Sequence, residues 1–527
     1  MNWIRANSDK LLLAVLLPIL LFVGFRRLDY AEDGLRHLNH ILQSNYPALG
    51  EPRWILFPLL LFAVVKTFAL AGIVHSAGQA AKVFCLFDGV CGFLYLVCLR
   101  LWLSELPALR RTAVLLLAGG SYVFLTLATD IIEPAPAVLI AVAGLTFSRF
   151  HAGLSDSARV TIAAGSLALA GVIYQGLLFG FFFLPAIFPI SLLATRQNVL
   201  RVVGLAGAVP IFTIVLLCFG GETPRNAARR FVQGEANDLA SRQYSKPSAK
   251  NLAGVVIVGP AYAFARIPEL RGLTGSLRML RHRETAFDAV RGALAWCFMA
   301  AAIIGATVLL LFRKQFALLL AIAGMMTLPA LRISQYSYVK YYVLLPFLVA
   351  LVVPRLGVRF VYPAFLGSLL LLSNLGQIRA QRAQSESFRL QVAHELYPRV
   401  PQAACFLTNG WGPPVPEWRG DSLGWLHILN AGDSVSQEQL AKADSQLLRN
   451  RLKKLFCSCP AVVTDSFILP NLASLQEELS YFRIADIPLP KLVVPSTGTA
   501  EVFRSPRLIV YRFSPEDQRR ACEALDE

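Results

Sequence analysis

Apolar residues fall along this chain in long blocks separated by short polar turns. Blocks occupy roughly 11–25, 54–74, 83–103, 112–129, 134–148, 160–174, 176–193, 199–219, 291–312, 315–331, 341–354 and 358–374. A helix needs about 20 such residues to cross about 30 Å of hydrocarbon, so this pattern predicts a polytopic helical membrane protein. Three intervals break it: the polar stretch 26–53, an insertion at 220–290, and everything after 375. Within the insertion, 252–264 (LAGVVIVGPAYAF) is apolar but short and interrupted by Pro260. It is expected against the membrane surface or a cavity mouth. After 375, strand-like pieces at 403–408, 461–464 and 508–513 alternate with helical periodicity at 436–456 and 471–483, which predicts a small α/β domain. That domain has no nucleophile elbow, P-loop or Rossmann glycine fingerprint, and GWGPP at 410–414 reads as a turn.

The turns carry a second pattern. Arg100, Arg110 and Arg111 lie between two blocks. At every second turn thereafter stand Arg149 and Arg159, Arg196 and Arg201, Arg313 and Lys314, then Arg355 and Arg359. The intervening turns hold Asp130 and Glu133, or Tyr174 and Gln175, and only 332–340, with Arg332 and Lys340, departs from the rule. Basic turns face the cytoplasm. With the N-terminus inside, block 54–74 then cannot be a full crossing; Pro58 and Lys66 suit a re-entrant or surface-lying helix. The expected fold is about eleven spans in a domain over 1–375, with 26–82 and 220–290 external, followed by a soluble extracytoplasmic α/β domain over 376–527. A twelve-span arrangement would flip the second half and put nearly every basic turn on the wrong side. The first block lacks a small-x-small exit, so no cleavable signal is expected.

Composition agrees. Of 527 residues, 55% are hydrophobic and 16% charged, and the mean hydropathy is +0.54, too apolar for a soluble chain of this length. The net charge of +17 is scattered through short turns, with no helix-turn-helix, RNA-binding strand pattern or zinc knuckle, so no nucleic-acid partner is expected. It suits membrane orientation and anionic lipid phosphates. Cys85, Cys91, Cys98, Cys218 and Cys297 lie in apolar blocks as small hydrophobes. Cys405, Cys457, Cys459 and Cys522 lie in the polar part, where one or two disulfides of unspecified connectivity suit an oxidising compartment.

Candidate chemistry concentrates just after the first block, in RRLDYAEDGLRHLNHILQSNYPALGEPRWILFP at 26–58. Asp29, Glu32 and Asp33 stand where a helix leaves the bilayer, a costly place for carboxylates unless they face water or substrate. Asp130 and Glu133 supply acids at the next outward turn. One carboxylate can serve as general base to an acceptor hydroxyl or amine while another positions it. Arg53, Lys66, Arg332 and Lys340 are cations on the same face, suited to a lipid phosphate. Plainer uses exist for each. Asp29 suits a helix N-cap with Glu32 and Asp33 in the first turn, and Lys66 can snorkel. His37 and His40 lack the i,i+4 spacing of a zinc pair, so no metal site is assigned.

EDGLRHLNHIL at 32–42 resembles the acidic motif in the first external loop of the GT-C glycosyltransferases, the superfamily of protein O-mannosyltransferases and the lipid A aminoarabinose transferase. LRRTAVLLL at 109–117 is similar to the family's Arg-rich cytoplasmic turn, ATDIIEP at 128–134 to its second external acid, and KYYVLLPFL at 340–348 to its late phosphate-binding segment, with Lys340 in place of Arg. EPRWILFPLL at 51–60 departs from the pattern: Arg53 replaces the usual base and the double proline is absent. The resemblance implies transfer of a sugar from a polyprenyl phosphate to a glycan, lipid or protein acceptor on the external face of a bacterial inner membrane, with inversion. It implies Asp33 or Glu32 as base, Asp130 and Glu133 as further acids, and Arg53, Lys340 and Arg332 on the donor phosphate. Asp29, Arg36, His37, Trp54, Tyr336 and Tyr341 would line the substrate path. No cofactor is expected, and a divalent cation stays open. Two rival classes remain: an O-antigen-type polymerase or ligase, with bases such as Arg225, Arg229, Arg230 and Arg242 in a late external loop, and a transporter or flippase. Against the latter, no internal repeat is visible.

Overall fold

The computed structural model describes residues 2–26, 56–74, 77–130, 134–219, 223–228, 259–265, 301–331, 339–400, 404–408, 422–424, 453, 456–465, 500–504 and 509–524. Its apolar blocks are helices: α1 Ser8–Phe25, α2 Phe57–Leu70, α3 Ala77–Trp102, α4 Ala108–Gly119, α5 Tyr122–Thr129, α6 Pro134–Phe150, α7 Asp156–Ile173, α8 Arg196–Phe219, α9 Gly259–Phe264, α10 Ala301–Phe312, α11 Phe316–Leu331, α12 Leu345–Leu356 and α13 Val361–Gln391. Among the described residues five are long and apolar enough to cross a membrane, six if the bent pair α4–α5 is one crossing.

The register of α1 against α3 fixes the two ends of the bundle. At one end Asp9 meets Arg100; at the other a side chain on Gly24 would touch the Cys85 carbonyl. The pair is therefore antiparallel. The chain turns at 103–107 beside Asp9, and α4 and α5 carry it back, so Asp130 lies at the Gly24 end. The basic turns gather at the opposite end. Arg100 and Arg111 share Asp9, Arg313 donates to the Arg355 carbonyl, and Arg149 donates to the Ile187 carbonyl beside Thr195.

Two blocks expected as plain helices are broken. Block 112–129 is split at Gly120–Ser121, where α4 and α5 meet at 71°. Ser121 Oγ caps α5 by accepting from Phe124 N–H, and Gly120 lies backbone to backbone against Gly367 of α13. A Cβ on Gly120 would come 2.5 Å from the Gly367 carbonyl, and one on Gly367 2.5 Å from Leu117 N. Small residues let backbones approach closely and so strengthen the van der Waals packing that helps hold helices together in lipid. Block 176–193 is a 3₁₀ helix, Gln175–Phe183, followed by two short helical turns, Leu184–Ile187 and Ile190–Leu193. Gly176, Gly180, Pro185 and Pro189 interrupt the α-helical ladder there, and the thinner 3₁₀ helix lets Leu167 of α7 approach Gly180 closely. Of the segment 252–264, residues 252–258 lie outside the described residues; Pro260 occupies the second position of α9, where its missing N–H costs nothing.

The elbow is tied by one side chain. Asn374 of α13 is fully buried and donates from Nδ2 to the carbonyls of Gly120 and Phe264, each at 2.8 Å. Asn374→Leu leaves both carbonyls without that donor, at about 1–3 kcal/mol for each unsatisfied group. The expected result is a lowered unfolding midpoint for the full chain in detergent, read by intrinsic fluorescence; an unchanged midpoint would show that the tie carries no stability.

Helix α13 continues without interruption past residue 375 to Gln391. Beyond it lies a five-stranded sheet of β1 Cys405–Thr408, β2 Ser422–Gly424, β3 Val462–Asp465, β4 Ala500–Arg504 and β5 Ile509–Arg512, in the order β2-β1-β3-β5-β4. β1 runs parallel to β2 and β3, and β5 antiparallel to β3 and β4. Helix α14, Pro515–Ala524, follows β5. Disulfides join Cys405 to Cys459 and Cys457 to Cys522, so the turn before β3 is fastened to β1 on one side and to α14 on the other.

Candidate active site

The acidic end of the bundle is organised on α5. All eight residues of this short helix are buried, and its C-cap is Asp130, in extended conformation and 3% exposed. A carboxylate so deep at a helix end is not a solvated loop acid. Against α5 pack α9 and the 3₁₀ turn Val339–Tyr342, which also touch each other. Tyr262 of α9 meets Tyr122 of α5 edge to face, with ring centroids 6.0 Å apart, and Tyr341 and Tyr342 of the turn are buried. The structure thus brings together the Asp130 helix, the turn containing Lys340 and Tyr341, and a piece of the 220–290 insertion.

The acidic stretch enters and leaves from the same quarter. Before it, Phe25 at the end of α1 lies under Lys82, whose Nζ is 5.1 Å from the ring centroid. After it, Phe57 at the start of α2 meets Phe84 edge to face at 5.7 Å. Lys82 and Phe84 are neighbours on α3, so both anchors are at the Asp130 end. Asp29, Glu32, Asp33, Arg36, His37, Arg53, Trp54, Glu133, Arg332 and Tyr336 lie outside the described residues. Lys66, on α2, faces the Phe62 ring at 5.7 Å.

One acid escaped the reading of the sequence. Asp88 sits within α3 and is fully buried. Next to it Gly89 and, one turn on, Gly92 face Ala128 of α5, where a Cβ on Gly92 would come 2.4 Å from the Ala128 Cβ. Only glycine permits that approach, and it brings Asp88 and Asp130 each within a turn of one helix crossing. The signal was present: an ionisable residue inside an apolar block is a functional candidate by default.

Buried carboxylates, tyrosine rings and a basic turn at the mouth of a bundle can orient a polar acceptor and take a proton from it. Among the described residues no group of three or more His, Cys, Asp or Glu side chains is placed to hold a metal ion.

No family model matches this chain, and no curated protein matches it. It is similar to two solved structures of ArnT from Cupriavidus metallidurans, one in the apo state and one bound to undecaprenyl phosphate. Each is 13% identical, over 96% of this chain and 98% of that one, with TM-scores of 0.46 and 0.45. At that identity and score the likeness assigns this chain neither fold nor activity.

Proposed function

We propose that this protein is a GT-C-type membrane glycosyltransferase that moves a sugar from a polyprenyl phosphate to an acceptor hydroxyl or amine at the Asp130 end of the bundle. The observation that carries the reading is the buried Asp130 carboxylate on a fully buried elbow helix, packed against the turn that contains Lys340 and Tyr341. An acid in that position needs a polar partner or a polar substrate. Asp33 or Glu32 takes the acceptor proton. The acceptor oxygen or nitrogen bonds to the anomeric carbon from the face opposite the phosphate, and the bond from that carbon to the phosphate oxygen breaks with its electrons on oxygen. Arg53, Lys340 and Arg332 hold the departing phosphate, an electrostatic stabilisation of developing charge. Asp130, Glu133 and Asp88 position the acceptor, and Asp29, Arg36, His37, Trp54, Tyr336 and Tyr341 line the path. The acceptor is a glycan, a lipid or a protein.

The basic end is cytoplasmic in this proposal, by the same rule that reads the turns. The chain makes about eleven crossings of a bacterial inner membrane, with α2 re-entrant, the N-terminus inside and the domain after α13 outside. The two disulfides support an oxidising compartment for that domain.

The test is transfer by the full chain in lipid vesicles, measured as release of polyprenyl phosphate from a labelled polyprenyl-phosphate sugar. Glu32→Gln and Asp33→Asn are made separately, and the variant that removes the base is expected to lose about 10²–10⁴-fold, with Arg229→Ala unchanged. Loss on Arg229→Ala alone would replace this reading with a polymerase or ligase.

A further inference from the structure

A second site lies at the other end of the molecule. Helix α6 begins just past Asp130 and ends at Phe150; its 17 residues separate the two ends by roughly 25 Å. There a cavity of about 710 Å³ opens between the end of α6, the start of α7 and the turns at 187–195, lined by Arg149, Arg159, Asp156, Ser191 and Thr195.

Both arginines are held in place with donors to spare. Arg149 Nη1 donates to the Ile187 carbonyl at 3.0 Å, and its guanidinium stands 5.2 Å from the Trp102 ring centroid. Trp102 is itself fixed by its Nε1 hydrogen bond to Thr146 Oγ1 at 2.8 Å and by edge contact with Phe347. Arg159 Nη2 reaches the His151 carbonyl at 3.4 Å, while its Nε is buried with no hydrogen-bond partner. Among the described residues neither arginine forms an ion pair, whereas Arg100 and Arg111 at the same end share Asp9. Arg355 adds repulsion toward Arg149, which Glu105 partly offsets. Guanidiniums held in place with unused donors suit an oxyanion, and arginine favours phosphate.

The remaining lining selects among phosphates. Two arginines against one Asp156 leave a single excess positive charge, which matches a phosphodiester better than a phosphate dianion. Ser191 is a hydroxyl neighbour for its ester oxygens, while Thr195, on the same wall, donates its hydroxyl to the Leu192 carbonyl. Phe150 on the wall is 41% exposed and Ile190 beside it 68%, apolar surface of the kind that meets acyl chains. We propose that this cavity binds the phosphate group of an anionic lipid headgroup at the basic end of the bundle, a site separate from the proposed transfer site.

The experiment is native mass spectrometry of the full chain in detergent with phosphatidylglycerol, phosphatidylcholine or inorganic phosphate added. Two variants are compared: Arg149→Ala with Arg159→Ala, and Thr195→Asp. The second keeps an oxygen where Thr195 Oγ1 accepts from Asn198 N–H, so α8 stays capped while a negative charge enters the cavity. The wild type is expected to retain phosphatidylglycerol over phosphatidylcholine, and each variant to weaken that retention by about tenfold or more. Binding of inorganic phosphate that displaces the lipid, and that the same variants weaken, would uphold the phosphate site and make a soluble phosphate its ligand. Equal retention of both lipids by the wild type, or unchanged retention in Thr195→Asp, overturns the proposal.

Discussion

Asp130→Asn is expected to lower kcat/KM for sugar transfer by about 10²–10⁴-fold while leaving the protein folded. Asparagine fills the same volume and keeps one carbonyl oxygen, so the buried end of α5 retains an acceptor; what disappears is the charge. If Asp130 positions a charged or proton-donating acceptor, the loss falls on turnover and on acceptor KM, and the unfolding midpoint moves little. If instead it serves only the packing of α5, the midpoint falls and the surviving folded protein transfers at the wild-type rate. Asp88→Asn is the companion measurement. Its carboxylate lies at the same α3–α5 crossing but within the helix rather than at its mouth, so a smaller loss is expected than for Asp130. Wild-type transfer by both variants would remove the acidic end as the reaction site.

How far the sequence foretold this site depended on which residues spoke for themselves. Asp130 was visible because Pro134 and a base-free turn isolate it between two apolar blocks. The gathering of basic turns at one end followed from their alternation, since each helix reverses direction. Hidden were the features set by contact between distant segments. Gly119–Gly120–Ser121 marks a weak point where a helix can stop and be capped anew, but the 71° angle taken there depends on Gly367 arriving about 250 residues later and on Asn374 reaching the freed Gly120 carbonyl. In block 176–193 the glycines and prolines mark a break, but that 175–183 winds as a 3₁₀ helix depends on its close contact with Leu167 of α7. Periodicity reports which residues avoid water, and in a bilayer it says little about which helix they touch. Cysteine connectivity was open for a similar reason: Cys457 and Cys459 are one residue apart, and only the fold sends them to different partners.

Asp9 carries the largest expected effect on stability. Arg100 and Arg111 read from sequence as orientation signals, yet each also places its Nε against Asp9 Oδ2, at 2.6 and 2.8 Å, while Asp9 is fully buried in the first turn of α1. One carboxylate therefore joins α1, α3 and α4 at the basic end. Asp9→Ala leaves two guanidiniums facing each other with no anion between them, and breaking a buried pair this way costs about 3–5 kcal/mol. The arginine side chains are 25% and 14% exposed, and water reaching them places the effect toward the lower part of that range. A triple variant, Asp9→Leu with Arg100→Leu and Arg111→Leu, removes the orphaned charges as well and is expected to recover much of the loss, although it weakens the orientation signal. Urea unfolding of the full chain in mixed micelles gives both comparisons. An Asp9→Ala protein as stable as wild type would mean that the arginines turn outward to lipid phosphate when released, and that this end of the bundle is held by apolar packing alone.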